Sequence, residues 1–516
     1  MKILTIEKPI KGWGADYSSS NSSGIEAGAN QYSKATAVSL YRPGLLGHIA
    51  PGETLTKLTD SGGLVTALPL NGVVDKTGQR FVVLRNAKVV RYSTGDASDA
   101  STTPTLDGTH SGHTSIATSD NQDILIIEVA GTEYILSSWE DATDGDIMLV
   151  GTDLSTSKDS DWFTTMGDVS ALTVGVPHRM LAGMVDNDVY VTNGQYISTI
   201  TITGAPTVDG NVTASLQALN LGNGWVATSL ARYQNFVAIT AVKKGSLSNT
   251  TRGESRMYLW DGFNPDPNYI YDIGDNFVSA ILNDGGVLKV FTQGINNTTK
   301  IKQFTGQGFS TLFESAQIGS APRHGSVDVY ENKPTFGNNG SERIMVLDGS
   351  AFHYRILGNN SANSDATISD VGMVKNLSSN LLYIGFTEGS NFGVAKINFS
   401  GYQPAAQFRS AVYSLPYKST IKKVTIYFSQ FGTNAAITFS LFKDYNAVSI
   451  GGGADLINQS LTNSSLGAVT AYSFNKVIPD VSAFYFVIDW THSNTTDTAA
   501  IIRKVEILYD EGSDKY

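Results

Sequence analysis

Few residues in this sequence have types and spacings that could support catalysis or metal binding. His110 and His113 form a His-x-x-His pair with Asp107 nearby, a combination that could bind Zn²⁺ or another divalent cation. The pair lies in a segment rich in Ser, Thr and Gly, and not on a predicted helix that would fix its geometry. We therefore interpret the pair as part of a solvated loop, and the sequence predicts no metal site and no cofactor.

Three carboxylates could serve glycoside hydrolysis, which needs an acid and a nucleophile or base facing each other in a pocket. The candidates are Asp261, Asp348 and Glu254. They fall at turns between predicted strands, where Asp commonly caps the turn. The Gly-x-Ser-x-Gly, P-loop and His-Glu-x-x-His motifs do not occur in the sequence. The sequence therefore predicts no catalytic residue and a protein that is not an enzyme.

Two weaker patterns could indicate sugar binding. The segment from Ser157 to Trp162 resembles the Ser-x-Asp-x-Gly-x-x-Trp turn of sialidase propeller blades, but its glycine is missing and its tryptophan is displaced. Large aromatic side chains could also stack on sugars, although such residues more often anchor a core or an interface. The tryptophans considered for this role are Trp13, Trp139, Trp225 and Trp490.

The composition limits the class of protein. Charged residues make up 16% of the 516 positions, against about 25% in typical soluble domains. A hydrophobic fraction of 41% excludes a disordered chain, and the absence of cysteine excludes disulfides and thiolate chemistry. The net charge of −11 argues against wrapping duplex DNA, which needs basic patches. It is compatible with DNA that passes an acidic wall without binding.

No segment indicates export or membrane insertion. The first residues contain only a short apolar run, interrupted by a charge and by Pro9, unlike a secretory signal. No stretch of 18 apolar residues occurs. We therefore expect synthesis in a reducing cytoplasm and no membrane partner.

From residue 80 onward, short predicted strands alternate with turn residues. Apolar runs of strand length recur, and Asp-Asn or Asn-Gly pairs between them supply the backbone conformations that tight hairpins need. The third strand of most units ends near a glycine, and these glycines lie 43 to 58 residues apart at Gly204, Gly262, Gly306, Gly349 and Gly401. Four strands in about 40–50 residues is the spacing of propeller blades.

The predicted fold class is all-β. We expect an irregular N-terminal arm over residues 1–79 and a β-propeller of about six or seven four-stranded blades over 80–404. An antiparallel β-sandwich is expected over 405–516, where predicted strands alternate apolar and polar residues. A long sandwich or a β-solenoid is the alternative for the blade region. Radial stacking is favoured because one meander cannot bury both of its faces alone.

The N-terminal stretch resembles a known class of proteins. A Gly-Trp-Gly start at Gly12, a Ser-rich loop, Gly28-Ala29-Asn30 and an Arg-Pro-Gly turn at Arg42 follow one another. This succession resembles the arm that precedes the β-propeller in tailed-bacteriophage virion proteins of the tail nozzle or tail-tube-end type. The resemblance covers residues 12–52 and, loosely, the blade region. It implies a structural role without catalytic residues.

The resemblance implies a function in assembly. The chain would form a homo-oligomeric, nozzle-like ring in the virion together with other phage tail proteins, through contacts that repeat around the ring. DNA would pass the acidic surface without specific binding. One alternative is a carbohydrate-binding fibre or adhesin protein that recognises a host surface glycan. Another, with less support, is a propeller glycosidase.

Overall fold

The computed structural model describes the chain over a series of ranges with gaps between them. The described residues are 1–7, 32–36, 38–39, 49–60, 63–92, 104–108, 118–140, 145–152, 157–158, 172–185, 187–204, 211–243, 253–294, 298–315, 320–337, 339–340, 343–348, 351–356, 368–378, 381–402, 405–430, 432–443, 457–462, 466, 469–492 and 498–512. The chain divides into two compact units. The propeller unit comprises Thr56–Glu342 and Ala366–Lys396, and the sandwich unit comprises Met1–Leu55, Arg343–Asp365 and Ile397–Tyr516. Within the described ranges, no helix is both long and apolar enough to span a membrane.

Six four-stranded sheets form the blades of a β-propeller, and the first five use strands that follow one another in the chain. Blade 1 contains β6 (Pro69–Val74), β7 (Arg80–Leu84), β8 (Val89–Tyr92) and β9 (Pro104–Gly108). Blade 2 contains β10 (Ile124–Val129), β11 (Thr132–Glu140), β12 (Gly145–Gly151) and β13 (Ser157–Lys158). Blade 3 contains β14 (Met180–Ala182), β15 (Asp188–Asn193), β16 (Tyr196–Ile202) and β17 (Val212–Asn220).

The later blades follow the same plan, with one change at the end. Blade 4 contains β18 (Trp225–Tyr233), β19 (Phe236–Lys243), β20 (Ser255–Trp260) and β21 (Tyr269–Asp272). Blade 5 contains β22 (Phe277–Asp284), β23 (Val287–Gln293), β24 (Thr299–Phe304) and β25 (Phe309–Ser315). Blade 6 contains β30 (Ile368–Ser378), β31 (Leu381–Glu388), β32 (Asn391–Tyr402) and the early strand β5 (Glu53–Lys57).

The inner strands close a ring. From blade 1 to blade 5, the first strand of each blade contacts the first strand of the next, and β30 of blade 6 contacts β6 of blade 1. A hairpin of β26 (Val327–Tyr330) and β27 (Lys333–Gly337) contacts both β22 of blade 5 and β30 of blade 6. A 3₁₀ turn at His324–Ser326 leads into this hairpin. The sequence-based prediction of a propeller with six or seven blades is confirmed, with six four-stranded blades.

Apolar side chains on both faces of the blades explain why the meanders stack. Between blades 1 and 2, Phe81 and Val83 pack with Ile135 and Trp139, and all four are buried. Between blades 3 and 4, a buried cluster includes Tyr190, and its ring contacts that of Trp260 with centroids 5.1 Å apart. Because blades 1 to 4 each contribute to buried clusters on both of their faces, none of them could bury its apolar surface alone.

The sandwich unit is a mostly antiparallel β-structure. Its strands outside blade 6 are β1 (Lys2–Ile6), β2 (Tyr32–Thr36), β3 (Val38–Ser39), β4 (Ala50–Pro51), β28 (Arg343–Asp348), β29 (Ala351–Ile356), β33 (Ala405–Ser410), β34 (Tyr413–Phe428), β35 (Ala435–Lys443), β36 (Asn458–Thr462), β37 (Ala471–Phe474), β38 (Ile478–His492) and β39 (Ile502–Asp510). The strand order is β1-β39-β34-β38-β33-β2-β29-β28, with β35 and β36 beside β38 and with β37 beside β34. β2 and β29 pair in parallel.

Two long, irregular strands join the layers of the sandwich. β34 pairs with β38 in its first half and with β39 in its second half, and register shifts interrupt both pairings. Phe439 of β35 stacks against Phe474 of β37 at 5.7 Å between ring centroids, and against Phe486 of β38 at 5.6 Å. Since β35 and β37 lie on opposite sides of the β34–β38 junction, these aromatic contacts form the interior between two sheets.

Several boundaries differ from those expected from the sequence. Residues 1–79 include the strand Lys2–Ile6, which pairs with β39, and the inner strand of blade 1, Pro69–Val74. A proline at its start and an internal glycine hide this inner strand in the sequence. The region 326–349, which lies within the propeller expected over residues 80–404, supplies β26 and β27 to the propeller unit and β28 to the sandwich unit.

Candidate functional site

The carboxylates that the sequence proposed for glycoside hydrolysis belong to different parts of the chain. Asp261 and Glu254 flank β20 in the propeller unit, and Asp348 ends β28 in the sandwich unit. Glu254 is exposed and pairs with Lys243 at 3.2 Å. The side chain of Asp348 lies outside the described part of the structure. No described contact joins any two of these three carboxylates.

Asp261 caps its own turn. Its Oδ1 accepts hydrogen bonds from the backbone N–H groups of Phe263 at 2.9 Å and Asn264 at 3.0 Å, and its Oδ2 accepts one from the amide of Asn268 at 3.2 Å. Slight desolvation raises the pKa of Asp261, but these hydrogen bonds outweigh it and lower the pKa to about 2. The carboxylate is therefore ionised at neutral pH and acts as an acceptor in the turn.

The described tryptophans do not form exposed platforms. Trp139, Trp225 and Trp490 are buried. The Nε1–H of Trp490 donates to the carbonyl of Ala500 at 2.6 Å. These residues anchor cores, as the more common behaviour of large aromatics suggested.

Other sequence candidates fall largely outside the described residues. Trp13, Trp162, His110 and His113 lie outside them, and the side chain of Asp107 in β9 is not described. Most of residues 12–52, which carry the resemblance to phage tail proteins, are also outside the described ranges. Among the described residues, no group of three or more His, Asp or Glu side chains is placed to hold a metal ion.

A pocket with a mixed polar and apolar lining, which the sequence did not reveal, lies where the inner strands of the propeller begin. Its volume is about 280 Å³. The lining comes from segments just before β10, β14 and β26 and from the starts of β18 and β22. The lining residues are Asp120, Asn121, Gly175, Pro177, Arg179, Thr228, Phe277, Ser279, Ala321, Pro322, Arg323, His324 and Asn339.

Arg323 is the most strongly paired group of the pocket. Its Nη1 and Nη2 donate to the two carboxylate oxygens of Asp370 at 2.8 and 3.0 Å, and its Nε donates to Asp120 at 3.1 Å. Burial lowers the pKa of Arg323, but the hydrogen bonds to Asp370 and the charge of Asp120 outweigh it and raise the pKa. The bidentate geometry links the segment before blade 2 to blade 6 through the turn before β26.

Arg179 holds the backbone ahead of blade 2. Its Nη1 donates to the carbonyl of Gln122 and its Nη2 to the carbonyl of Asp120, both at 2.6 Å. Burial lowers the pKa of Arg179, and the charges of Asp123 and Asp120 oppose that shift. The Nε of Arg179 is buried and has no hydrogen-bond partner among the described residues. Because this nitrogen is shielded from solvent, it does not face the open space of the pocket.

Asp123 joins three blades. One carboxylate oxygen accepts from the side-chain amide of Asn71 in blade 1 and from the N–H of Ile124 in blade 2. The other accepts from the N–H of Met180 in blade 3 at 2.9 Å and lies 3.6 Å from Nε2 of His324. The 3₁₀ turn also packs closely against blade 1. A Cβ at Gly325 would lie only 1.9 Å from the carbonyl oxygen of Leu70, so this position has room for glycine alone.

Two buried histidines flank this network in their neutral form. Burial lowers the pKa of His324 to about 3, and burial lowers that of His178 to about 4. Nδ1 of His324 lies 2.7 Å from Oγ of Ser229. Nε2 of His178 lies 3.0 Å from the carbonyl of Thr173, which can only accept, so this nitrogen carries the proton. At neutral pH the charges of the site are thus those of its arginines and carboxylates.

No motif points to this site in the sequence, because its charged residues come from distant segments. Asp120, Arg179 and Arg323 each stand one to four residues before an inner strand, and Asp370 lies at the start of another. The usable signal is a charged residue at or just before the start of an inner strand, as at Asp120 and Arg179 before the first strands of blades 2 and 3. It becomes visible only once the blades have been assigned correctly.

Comparisons with known proteins bear on the fold alone. No protein-family profile matches the chain. No curated protein matches it in sequence. An exo-β-1,3-galactanase of Phanerochaete chrysosporium, solved with galactose, has 13% identity and a TM-score of 0.32, covering 90% of this chain and 100% of that chain. A variant of that galactanase with β-1,3-galactotriose has 12% identity and a TM-score of 0.31, covering 88% of this chain and 99% of that chain. A luciferin-regenerating enzyme has 9% identity and a TM-score of 0.38, covering 67% of this chain and 95% of that chain.

These names correct one sequence-based prediction. The three similar solved structures named above are enzymes, which contradicts the prediction that the chain is not an enzyme. At TM-scores of 0.31 to 0.38, the similarity assigns no activity and no substrate to this chain.

Proposed function

We propose that this chain is a structural component of a bacteriophage tail, in which the propeller acts as a rigid body within a ring of identical and neighbouring virion proteins. The sequence resemblance in residues 12–52 supports this role. The acidic net charge of −11 supports it too, because a surface with few basic patches would let DNA pass without binding.

The proposal rests mainly on the hydrogen bonds and ion pairs that connect the inner strands of different blades. Arg323 bridges Asp120 and Asp370, and Asp123 bridges blades 1, 2 and 3. Buried, paired charges have strict geometric requirements, and separating the partners costs several kcal/mol, on the order of 3–5. A propeller braced in this way resists shear between blades, which suits a part that carries mechanical load during infection.

The direct test uses virions of a phage whose genome encodes this chain. Gold-labelled antibodies against the chain, viewed by electron microscopy, are expected to decorate one position on the tail in nearly every particle. A chain that is produced during infection but is absent from purified particles would contradict the proposal. Labelling confined to the capsid shell would contradict it as well.

Oligomerisation supplies a second, independent test. The purified full-length chain is expected to form closed rings of one symmetry, visible in class averages and as one mass by light scattering. If ring formation needs a neighbouring tail protein, adding that protein restores it. A chain that remains monomeric with its tail neighbours present would rule out the ring.

A further inference from the structure

We infer that the pocket at the start of the inner strands binds one neutral, hydroxyl-rich molecule of about monosaccharide size. This inference does not depend on the tail role, because a ligand could fill the pocket in any protein that contains this propeller.

The size of the pocket sets the size of the ligand. A volume of about 280 Å³ is slightly below the range of typical small-molecule sites, which start at about 300 Å³. One six-membered ring with its hydroxyl groups fits such a space, and an oligosaccharide would have to extend out of it. Gly175 on the rim is exposed, and a Cβ there would meet no atom within 4 Å. The rim is therefore open at this point.

The lining offers the groups that recognise hydroxyls. Asn339 carries an amide that both donates and accepts. The amide of Asn121 donates to Glu140 at 3.0 Å, and the hydroxyls of Thr228 and Ser279 donate to backbone carbonyls at 3.3 Å, so these three groups present mainly acceptor oxygens to a ligand. A sugar hydroxyl also donates and accepts, so mixed partners suit it better than a lining of one kind. Phe277 adds an apolar wall for the C–H face of a ring.

The charges of the pocket are nearly balanced, which favours a neutral ligand. Arg179 and Arg323 are positive, but Asp120 lines the same pocket and Asp370 and Asp123 stand directly behind it. An anion would meet these carboxylates, and a cation would meet the two guanidinium groups.

The site is also held in place before any ligand arrives. Arg323 is fixed by three hydrogen bonds to carboxylates, and Arg179 by two to backbone carbonyls. A lining fixed in this way loses little conformational freedom on binding, which favours affinity. This rigidity distinguishes the pocket from a surface dip between mobile side chains.

The experiment titrates the full-length chain with D-glucose, D-galactose and D-mannose, using saturation-transfer NMR and calorimetry. At least one hexose is expected to bind with a Kd of about 1 mM, since ligands of this size have modest affinities. Gluconate and inorganic phosphate, as charged probes, are expected to bind at least about tenfold more weakly. Failure of all three hexoses to bind up to about 50 mM would overturn the inference. Tighter binding of gluconate or phosphate would overturn it too.

A matched pair of variants locates the binding site. Ser279→Val removes a hydroxyl and adds bulk to the lining, so hexose affinity should fall about tenfold or more. Ser310→Val changes an exposed serine on the outer strand of the same blade and should leave the affinity unchanged. Equal affinities for the two variants would overturn the assignment to this pocket. If Ser279→Val does not fold, Asn339→Ala takes its place. Its hexose affinity should also fall about tenfold, and an affinity equal to that of Ser310→Val would overturn the assignment.

Discussion

The two units fill their interiors with different chemistry. The sandwich unit packs aromatic rings against one another, as in the cluster of Phe439, Phe474 and Phe486. The propeller unit also packs apolar faces between its blades, but where the inner strands begin it places paired arginines and carboxylates. Aromatic packing tolerates small shifts, whereas charge pairing requires each partner at a fixed distance. The propeller is therefore the unit that should respond to charge and to pH.

The largest effect is expected in the sandwich interior. Phe439→Ala removes a fully buried ring and should lower the free energy of unfolding of this unit by about 4 kcal/mol. Phe442→Ala, at a half-buried ring that stacks on Tyr485, should cost only about 1–2 kcal/mol. Hydrogen exchange with mass spectrometry during denaturant titration assigns each loss to a unit. Equal losses in both variants would mean that the aromatic cluster is not the core of the sandwich.

The next largest effect tests the charged interior of the propeller. Arg323→Met leaves Asp370 without its buried cation and leaves Asp120 paired with Arg85 alone, and it should destabilise the propeller unit by about 3 kcal/mol. Lys243→Ala breaks an exposed ion pair with Glu254 and should cost no more than about 0.5 kcal/mol. Urea unfolding measures both variants. Comparable small losses would show that the pairing at the inner strands does not brace the blades.

Acid should affect the propeller unit through its two buried histidines. The unfolded chain protonates histidine near pH 6.5, but in the folded unit the pKa of His324 is lowered to about 3 and that of His178 to about 4. The unfolded state therefore binds more protons below pH 6.5. The stability that these groups contribute is complete above that pH, and it is lost as the pH falls toward 4, by at most about 1.4 kcal/mol per pH unit for each histidine.

Denaturant titrations at pH 7, 6 and 5 measure this slope. The double variant His178→Gln, His324→Asn keeps a polar atom near Nε2 of the first residue and near Nδ1 of the second. It should reduce the change in the free energy of unfolding of the propeller unit between pH 7 and pH 5. An unchanged slope in the double variant would assign the acid sensitivity to other groups.

The smallest effect concerns a turn on the blade surface. Asp261→Ala removes an acceptor for two backbone N–H groups and should cost roughly 0.5–1 kcal/mol, as for other local caps. Asp261→Asn keeps one acceptor oxygen and should cost less. Thermal unfolding compares the two variants. A glycosidase that used Asp261 would lose turnover in Asp261→Asn with its stability retained, and that outcome would contradict the turn-cap interpretation.

Repeated local patterns predicted the fold better than they predicted the site. The glycines Gly204, Gly262 and Gly306 do follow the third strand of their blades, because a tight turn after each strand leaves a local mark. Gly401 instead lies inside β32, where the chain passes from blade 6 toward the sandwich unit. The spacing rule fails there because the repeat ends.

The candidate site was not predictable in the same way. Asp120, Arg179, Arg323 and Asp370 meet only when the ring closes, and no two of them are neighbours in sequence. Asp and Arg are also common in loops. The sequence alone does not show which charged residues of a loop are paired in the folded protein. The carboxylates that sequence reasoning did single out stand at turns, where their hydrogen bonds are local.

Blade 6 has a consequence for the order of events during synthesis. Its strand β5 leaves the ribosome early, but its neighbour β32 is among the later strands to appear. At roughly 5–20 residues per second, β5 has to wait tens of seconds for that neighbour. During this interval the edge of β5 is unpaired and open to other chains. The yield of correctly folded protein should therefore depend on translation rate and on chaperones that shield nascent strands, more than on the stability of the finished propeller.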